Sequence, residues 1–142
     1  MCKYGLLILV SFFLSCSSEK DCGCGDYQMR VTLGLSNING TDLLNTQNYD
    51  VSNIYTYYLK NDITYYTDVP DFINNASPSK LNITLSTDIE EAFPITYLRW
   101  NQNDTDTLKA HFIRGENTIV IDQLWINGVA IPNFEEDLIL IK

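Results

Sequence analysis

Nucleophilic hydrolysis of the Ser-His-Asp or Cys-His kind needs an imidazole base oriented by a third group, and this chain supplies a single histidine, His111. His111 alternates with Lys109 on the side of a strand pattern opposite Leu108, Ala110 and Phe112, which makes it an exposed side chain rather than a buried base. Paired carboxylates could serve as general acid and base, but Glu90 with Glu91 and Glu135 with Glu136 are sequence neighbours beside turns, where solvated charge is the ordinary outcome. The sequence has no glycine-rich phosphate loop and no His-Glu-x-x-His pattern. Asn101, Asn103, Asp104 and Asp106 gather oxygen donors that suggest calcium. They lack the central glycine and terminal glutamate of an EF-hand loop, and hairpin turns use Asn and Asp anyway. The expectation is no metal, no cofactor and no enzymatic activity.

The thiols carry more information. All four cysteines, Cys2, Cys16, Cys22 and Cys24, fall within the first 24 positions. Lys3 and the apolar run over residues 6–14 read as a signal peptide, because nine residues are far short of the roughly 20 that span a bilayer as a helix. Phe13-Leu14-Ser15-Cys16 resembles the lipobox of bacterial lipoproteins, although Phe13 stands where that box prefers Leu or Val. The resemblance implies removal of residues 1–15 and lipidation of Cys16, whose thiolate is the strongest side-chain nucleophile for taking an acyl-glyceryl group. A multiply acylated cysteine anchors a chain to a membrane stably.

Residues 16–26 then read as a polar linker, with Cys22-Gly23-Cys24 inside it. A disulfide between Cys22 and Cys24 is geometrically tight, yet Gly23 lets the backbone bend enough. An intermolecular bond or a metal role are the alternatives. Zinc would want four ligands, and beyond the thiols only His111 offers a ring nitrogen. An oxidising compartment disfavours free thiols.

Tyrosine is the other conspicuous resource. Of nine tyrosines, Tyr55, Tyr57, Tyr58, Tyr65 and Tyr66 fall on one predicted hairpin, with Tyr55 and Tyr57 on a shared face. Such rings can stack on sugars or fill a partner's pockets, being apolar in body and polar at the tip. Plain cross-strand packing is the alternative.

The elements that must position these groups follow a period of two. Met29, Val31, Leu33 and Leu35 alternate with polar residues or glycine, as do Leu81, Ile83 and Leu85. Residues 54–59 and 63–67 are rich in β-branched and aromatic residues, and Lys60-Asn61-Asp62 between them is hairpin material. Thr96, Leu98 and Trp100 share one face, and Ile95, Tyr97 and Arg99 the other. Residues 42–44 and 88–93 could each make a helical turn. Asn127-Gly128 is a type I′ hairpin signal, and residues 138–141 close the chain as a last strand.

About eight short strands and no amphipathic helix predict an all-β fold. We expect a single antiparallel β-sandwich over residues 27–142, immunoglobulin-like or transthyretin-like, with a small barrel as the alternative. After cleavage, eight Lys and Arg face eighteen Asp and Glu, a formal charge of −10 that argues against nucleic acid as a partner.

Asp42-Leu43-Leu44-Asn45, Tyr49-Asp50, residues 54–59, residues 100–108 and Leu124-Trp125-Ile126-Asn127-Gly128 together resemble small lipoproteins of the Bacteroidetes, although Thr46 stands where relatives usually carry proline. The start Cys16-Ser17-Ser18-Glu19-Lys20-Asp21 is similar to the acidic export signal of that phylum, which implies a lipid anchor in the outer membrane with the domain on the cell surface. Asp106-Thr107-Leu108 resembles its short O-glycosylation acceptor, which implies a glycan on Thr107. The resemblance supplies an address and no mechanism. The functional expectation is a non-enzymatic binding module for a glycan or protein, with a structural accessory subunit of an envelope complex as the alternative.

Overall fold

A computed structural model describes residues 26–134 and 137–142; the lipidation site Cys16, the Cys22 and Cys24 pair, and Glu135 with Glu136 lie outside them. The described residues form eleven strands: β1 (Asp26–Gln28), β2 (Arg30–Ser36), β3 (Tyr55–Lys60), β4 (Ile63–Tyr66), β5 (Asp71–Ile73), β6 (Lys80–Thr84), β7 (Ile95–Asn101), β8 (Asp104–Gly115), β9 (Thr118–Ile126), β10 (Val129–Ile131) and β11 (Leu138–Ile141). The larger sheet runs β1-β9-β8-β7-β3-β4, with β10 sharing the β1 edge of β9, and the smaller runs β11-β2-β6-β5.

Alternation decides which face each strand buries. In β7, Thr96, Leu98 and Trp100 are buried while Tyr97 and Arg99 turn outward. In β8, Leu108, Ala110 and Phe112 turn inward and His111 outward, as the sequence predicts. Val31, Leu33, Leu35, Leu81 and Ile83 of the smaller sheet join these residues in one hydrophobic cluster. Each large side chain fully buried there contributes about 1.5–3 kcal/mol.

The expectation of a wholly antiparallel fold needs correction. β1 runs parallel to β9, and β11 runs parallel to β2. Hydrophobic alternation fixes faces but carries no information about strand direction. Neither pair is joined by a hairpin, so nothing local forces antiparallel pairing. The barrel alternative also falls, because among the described residues both sheets stay open, with edges at β4 and β1/β10 in one and at β11 and β5 in the other.

Further differences are local. β5 follows Pro70 directly and lies at the edge of the smaller sheet, where a neighbour with no N–H to give is tolerated. Residues 88–93 make turns rather than a helix. The only helical piece among the described residues is a 3-10 turn at Val51–Asn53, capped by Asp50, whose carboxylate accepts the Ser52 N–H at 2.9 Å. In β9 a bulge sets Asp122 and Gln123 opposite His111, so Ile121 and Leu124 both face inward.

Two hairpins close as the sequence predicts. Lys60 pairs with Ile63 around Asn61 (φ 50) and Asp62 (φ 61), and Ile126 pairs with Val129 around Asn127 (φ 50) and Gly128 (φ 80). These left-handed pairs are the backbone of a type I′ turn. A Cβ at position 128 meets open space but keeps the left-handed penalty. Gly128→Ala is therefore expected to cost about 1–2 kcal/mol, read as a lowered midpoint of urea unfolding.

Candidate functional site

The outward face of the larger sheet brings together side chains that are distant in sequence. Tyr66 of β4, Tyr57 of β3, Tyr97 of β7 and Thr107 of β8 are successive cross-strand partners and form one row. Tyr55, Arg99 and Thr105 form the row beside it. On the other side, Ile95 pairs with Lys109 and Lys109 with Trp125.

The rings make a cluster centred on Tyr57. Its ring stacks on Tyr97 at 5.0 Å and 12°, and its centroid lies 6.0 Å from Tyr55 and 6.5 Å from Tyr66. Tyr55 and Tyr66 close the group at 5.6 Å. Tyr66 is 69% exposed, and the other three are half-buried, so the cluster is packed and still open to solvent. Tyr58 and Tyr65 stack on each other at 5.3 Å on the opposite side of the hairpin, which divides its five tyrosines between two faces.

Arg99 connects the cluster to a cleft. Its guanidinium donates to the Tyr55 hydroxyl at 3.0 Å, to the Asn101 carbonyl at 3.1 Å and to the Gln102 carbonyl at 3.4 Å. The cleft, about 430 Å³, is lined by Gln47, Asn48, Asp50, Asn53, Tyr55, Arg99, Trp100, Asn101 and Gln102. Side-chain amides both donate and accept, so this lining suits a ligand rich in hydroxyl groups. At the far side of the face Lys109 Nζ sits 4.7 Å from the Trp125 ring and 5.6 Å from Phe93, both within cation–π range.

The structure brings Tyr55 and Tyr57 together as predicted and adds Tyr66, Tyr97, Arg99, Lys109, Phe93 and Trp125. The shared face of Tyr97 and Arg99 is readable from alternation. Their adjacency to Tyr57 depends on β3 pairing with β7 across some 40 residues, which no local pattern announces. Thr107 lies in mid-strand on this face, opposite Tyr97, with its amide donating to Asn127 Oδ1 at 2.9 Å and its hydroxyl to the same oxygen at 3.4 Å.

The other acid–base candidates are engaged elsewhere. His111 Nδ1 sits 3.0 Å from Asp122 Oδ2 on the sheet surface. Glu90 pairs with Lys60 at 2.9 Å. Asn101 Oδ1 accepts the Asn103 N–H at 2.9 Å, and Lys142 Nζ bridges Asp104 at 2.7 Å and Asp106 at 2.9 Å, so an ammonium sits where the calcium reading would put a cation. Among the described residues no group of three or more His, Cys, Asp or Glu gathers as metal ligands.

Asp106 is the most demanding of these groups. It is 3% exposed and also accepts from Trp100 Nε1 at 2.6 Å and Asn127 Nδ2 at 2.7 Å. Burial alone raises a carboxyl pKa, but hydrogen bonds from Asn127, Lys142 and Trp100 outweigh it and hold Asp106 below the ordinary range. This network fixes the Asn127-Gly128 turn and ties Lys142 to β8 from the buried side of the larger sheet. Comparison with protein-family models, with curated proteins and with solved structures gives no match for this chain.

Proposed function

We propose that this chain is a lipid-anchored lipoprotein of the outer membrane, exposed on the cell surface, whose β domain binds a glycan without catalysing its turnover. The single observation behind the glycan reading is the solvent-open stack of Tyr57 on Tyr97, between Tyr55 and Tyr66, running into an amide-lined cleft. A sugar offers C–H faces to rings and hydroxyls to amides, and this surface supplies both kinds of partner. What favours binding over catalysis is that Glu90 and Asp106 are tied to lysines, and that His111, although oriented by Asp122, has no Ser, Thr or Cys hydrogen-bonded to its ring among the described residues. The architecture we propose is a two-layer sandwich of immunoglobulin-like kind, consistent with two sheets sharing one core.

The address rests on the sequence around Cys16, so its test is separate from that of binding. Protease shaving of intact cells, with a periplasmic protein as control, is expected to digest this chain and spare the control. Protection of both would place the domain on the periplasmic side. Binding is tested by screening immobilised polysaccharides with the wild type and with Tyr57→Ala/Tyr97→Ala. Retained binding by a folded double variant would remove the aromatic face from the account.

A further inference from the structure

We infer that the ligand of the aromatic face is an acidic polysaccharide, with carboxylate or sulfate groups that meet Arg99 and Lys109; this rests on the glycan-binding reading above. The chain has eighteen acidic residues against nine basic ones, so a cation without a carboxylate is in short supply. Arg30, Lys60, Lys80 and Lys142 each form an ion pair. Among the described residues, Arg99, Lys109 and Arg114 have no carboxylate within ion-pair distance; Arg114, at the end of β8, donates to the Asp88 carbonyl at 3.3 Å, whereas Arg99 and Lys109 lie on the outward face of the larger sheet, set against aromatic rings.

The charge of that face is the reverse of the molecule's. Every outward position of β3 and β7, and of β8 from Thr105 to His111, is uncharged or basic. The nearest carboxylates are committed or marginal. Asp50 lines the Arg99 cleft but turns one carboxylate oxygen to Ser52, Asp122 pairs with His111, and Glu91 lines a shallow hollow with Phe93, Ile95 and Tyr97, outside ion-pair distance of Lys109. Beyond about 8 Å at physiological salt the acidic remainder of the surface is largely screened, so an anionic ligand responds to the local pair of cations.

The geometry also sets a minimum size. Arg99 pairs with Thr105 on β8, four residues from Lys109, and at about 3.4 Å per residue the backbone positions that carry the two cations stand about 14 Å apart along the strands. Tyr57 and Tyr97 lie in the row between them. One sugar ring cannot reach both ends, whereas a chain lying along the strands can stack on the tyrosines and present an acidic group to each cation. Arg99 has three of its five N–H donors taken by Tyr55, Asn101 and Gln102, which holds the guanidinium in place with two donors left.

The test uses the full-length lipoprotein in detergent micelles with two matched pairs of polymers. These are polygalacturonate against its methyl ester, and dextran sulfate against dextran. The acidic member of a pair is expected to bind about tenfold more tightly than its neutral counterpart, with an affinity that falls as salt rises. Arg99→Gln and Lys109→Gln, with unchanged circular dichroism, are each expected to lower the acidic-to-neutral affinity ratio about fivefold. Equal binding of both members of each pair would overturn this inference and leave the glycan reading standing. Absence of binding to all four polymers would overturn both.

Discussion

Asp106→Ala is expected to destabilise the domain by about 3–5 kcal/mol, the cost of breaking a buried charged network by removing one partner. The variant strands the Trp100 indole N–H in the core, leaves the Asn127 amide without its acceptor, and takes from Lys142 one of its two carboxylates. Trp100 is fully buried, so its N–H finds no water in compensation. Urea unfolding of the wild type, Asp106→Ala and Asp106→Asn reads the effect. The asparagine, which keeps the shape and can still accept, is expected to lose clearly less than the alanine.

The same carboxylate predicts a pH dependence with a definite sign. Its pKa is lowered in the folded state, so its stabilisation is fully present above the unfolded value near 3.9 and is lost as pH falls through the folded value. Wild-type stability should therefore drop more steeply below about pH 4 than that of Asp106→Asn. Lys142 shifts the other way: burial lowers its pKa, but Asp104 and Asp106 outweigh this and raise it. Its contribution persists through neutral pH and is lost only as pH rises through the raised folded value.

Tyr57→Ala/Tyr97→Ala is expected to weaken glycan binding at least about a hundredfold, since well-placed aromatic anchors contribute about 2 kcal/mol each and are not fully additive. The effect on stability should be smaller, about 1–2 kcal/mol, because both rings sit on the outward face and contribute chiefly as cross-strand pairs. That asymmetry separates a ligand surface from ordinary packing. If unfolding midpoints fell as far as for Asp106→Ala while affinity held, the rings would be structural. Tyr58→Ala, on the other side of the hairpin, is the matched control.

The all-β class, the burial faces of β2, β6, β7 and β8, and both two-residue hairpins were legible because each depends on neighbours within a few positions. The same alternation put Tyr55 with Tyr57, and Tyr97 with Arg99, each on a shared face. It could not join those two pairs, because the register of β3 on β7 is set by the global packing of the core. Nor could it announce that the last residue, Lys142, reaches back to Asp104 and Asp106, 38 and 36 positions away. The parallel pairing of β1 and β11 was invisible for a related reason: strands at the two ends of the chain join sheets through contacts with no short connection to constrain direction. The β9 bulge escaped because one extra residue changes parity without changing composition.

Amide shift mapping is the most direct test that the outward face of the larger sheet is the binding surface. With isotopically labelled protein and added polygalacturonate oligomers, the account predicts perturbations over Tyr55, Tyr57, Tyr97, Arg99, Thr107 and Lys109, together with the Trp125 indole. The buried amides of Leu33 and Ile83, in the smaller sheet, should move far less. Perturbations gathered on β2 and β6, or on the apolar hollow formed by Ile131, Pro132 and Phe134, would contradict it.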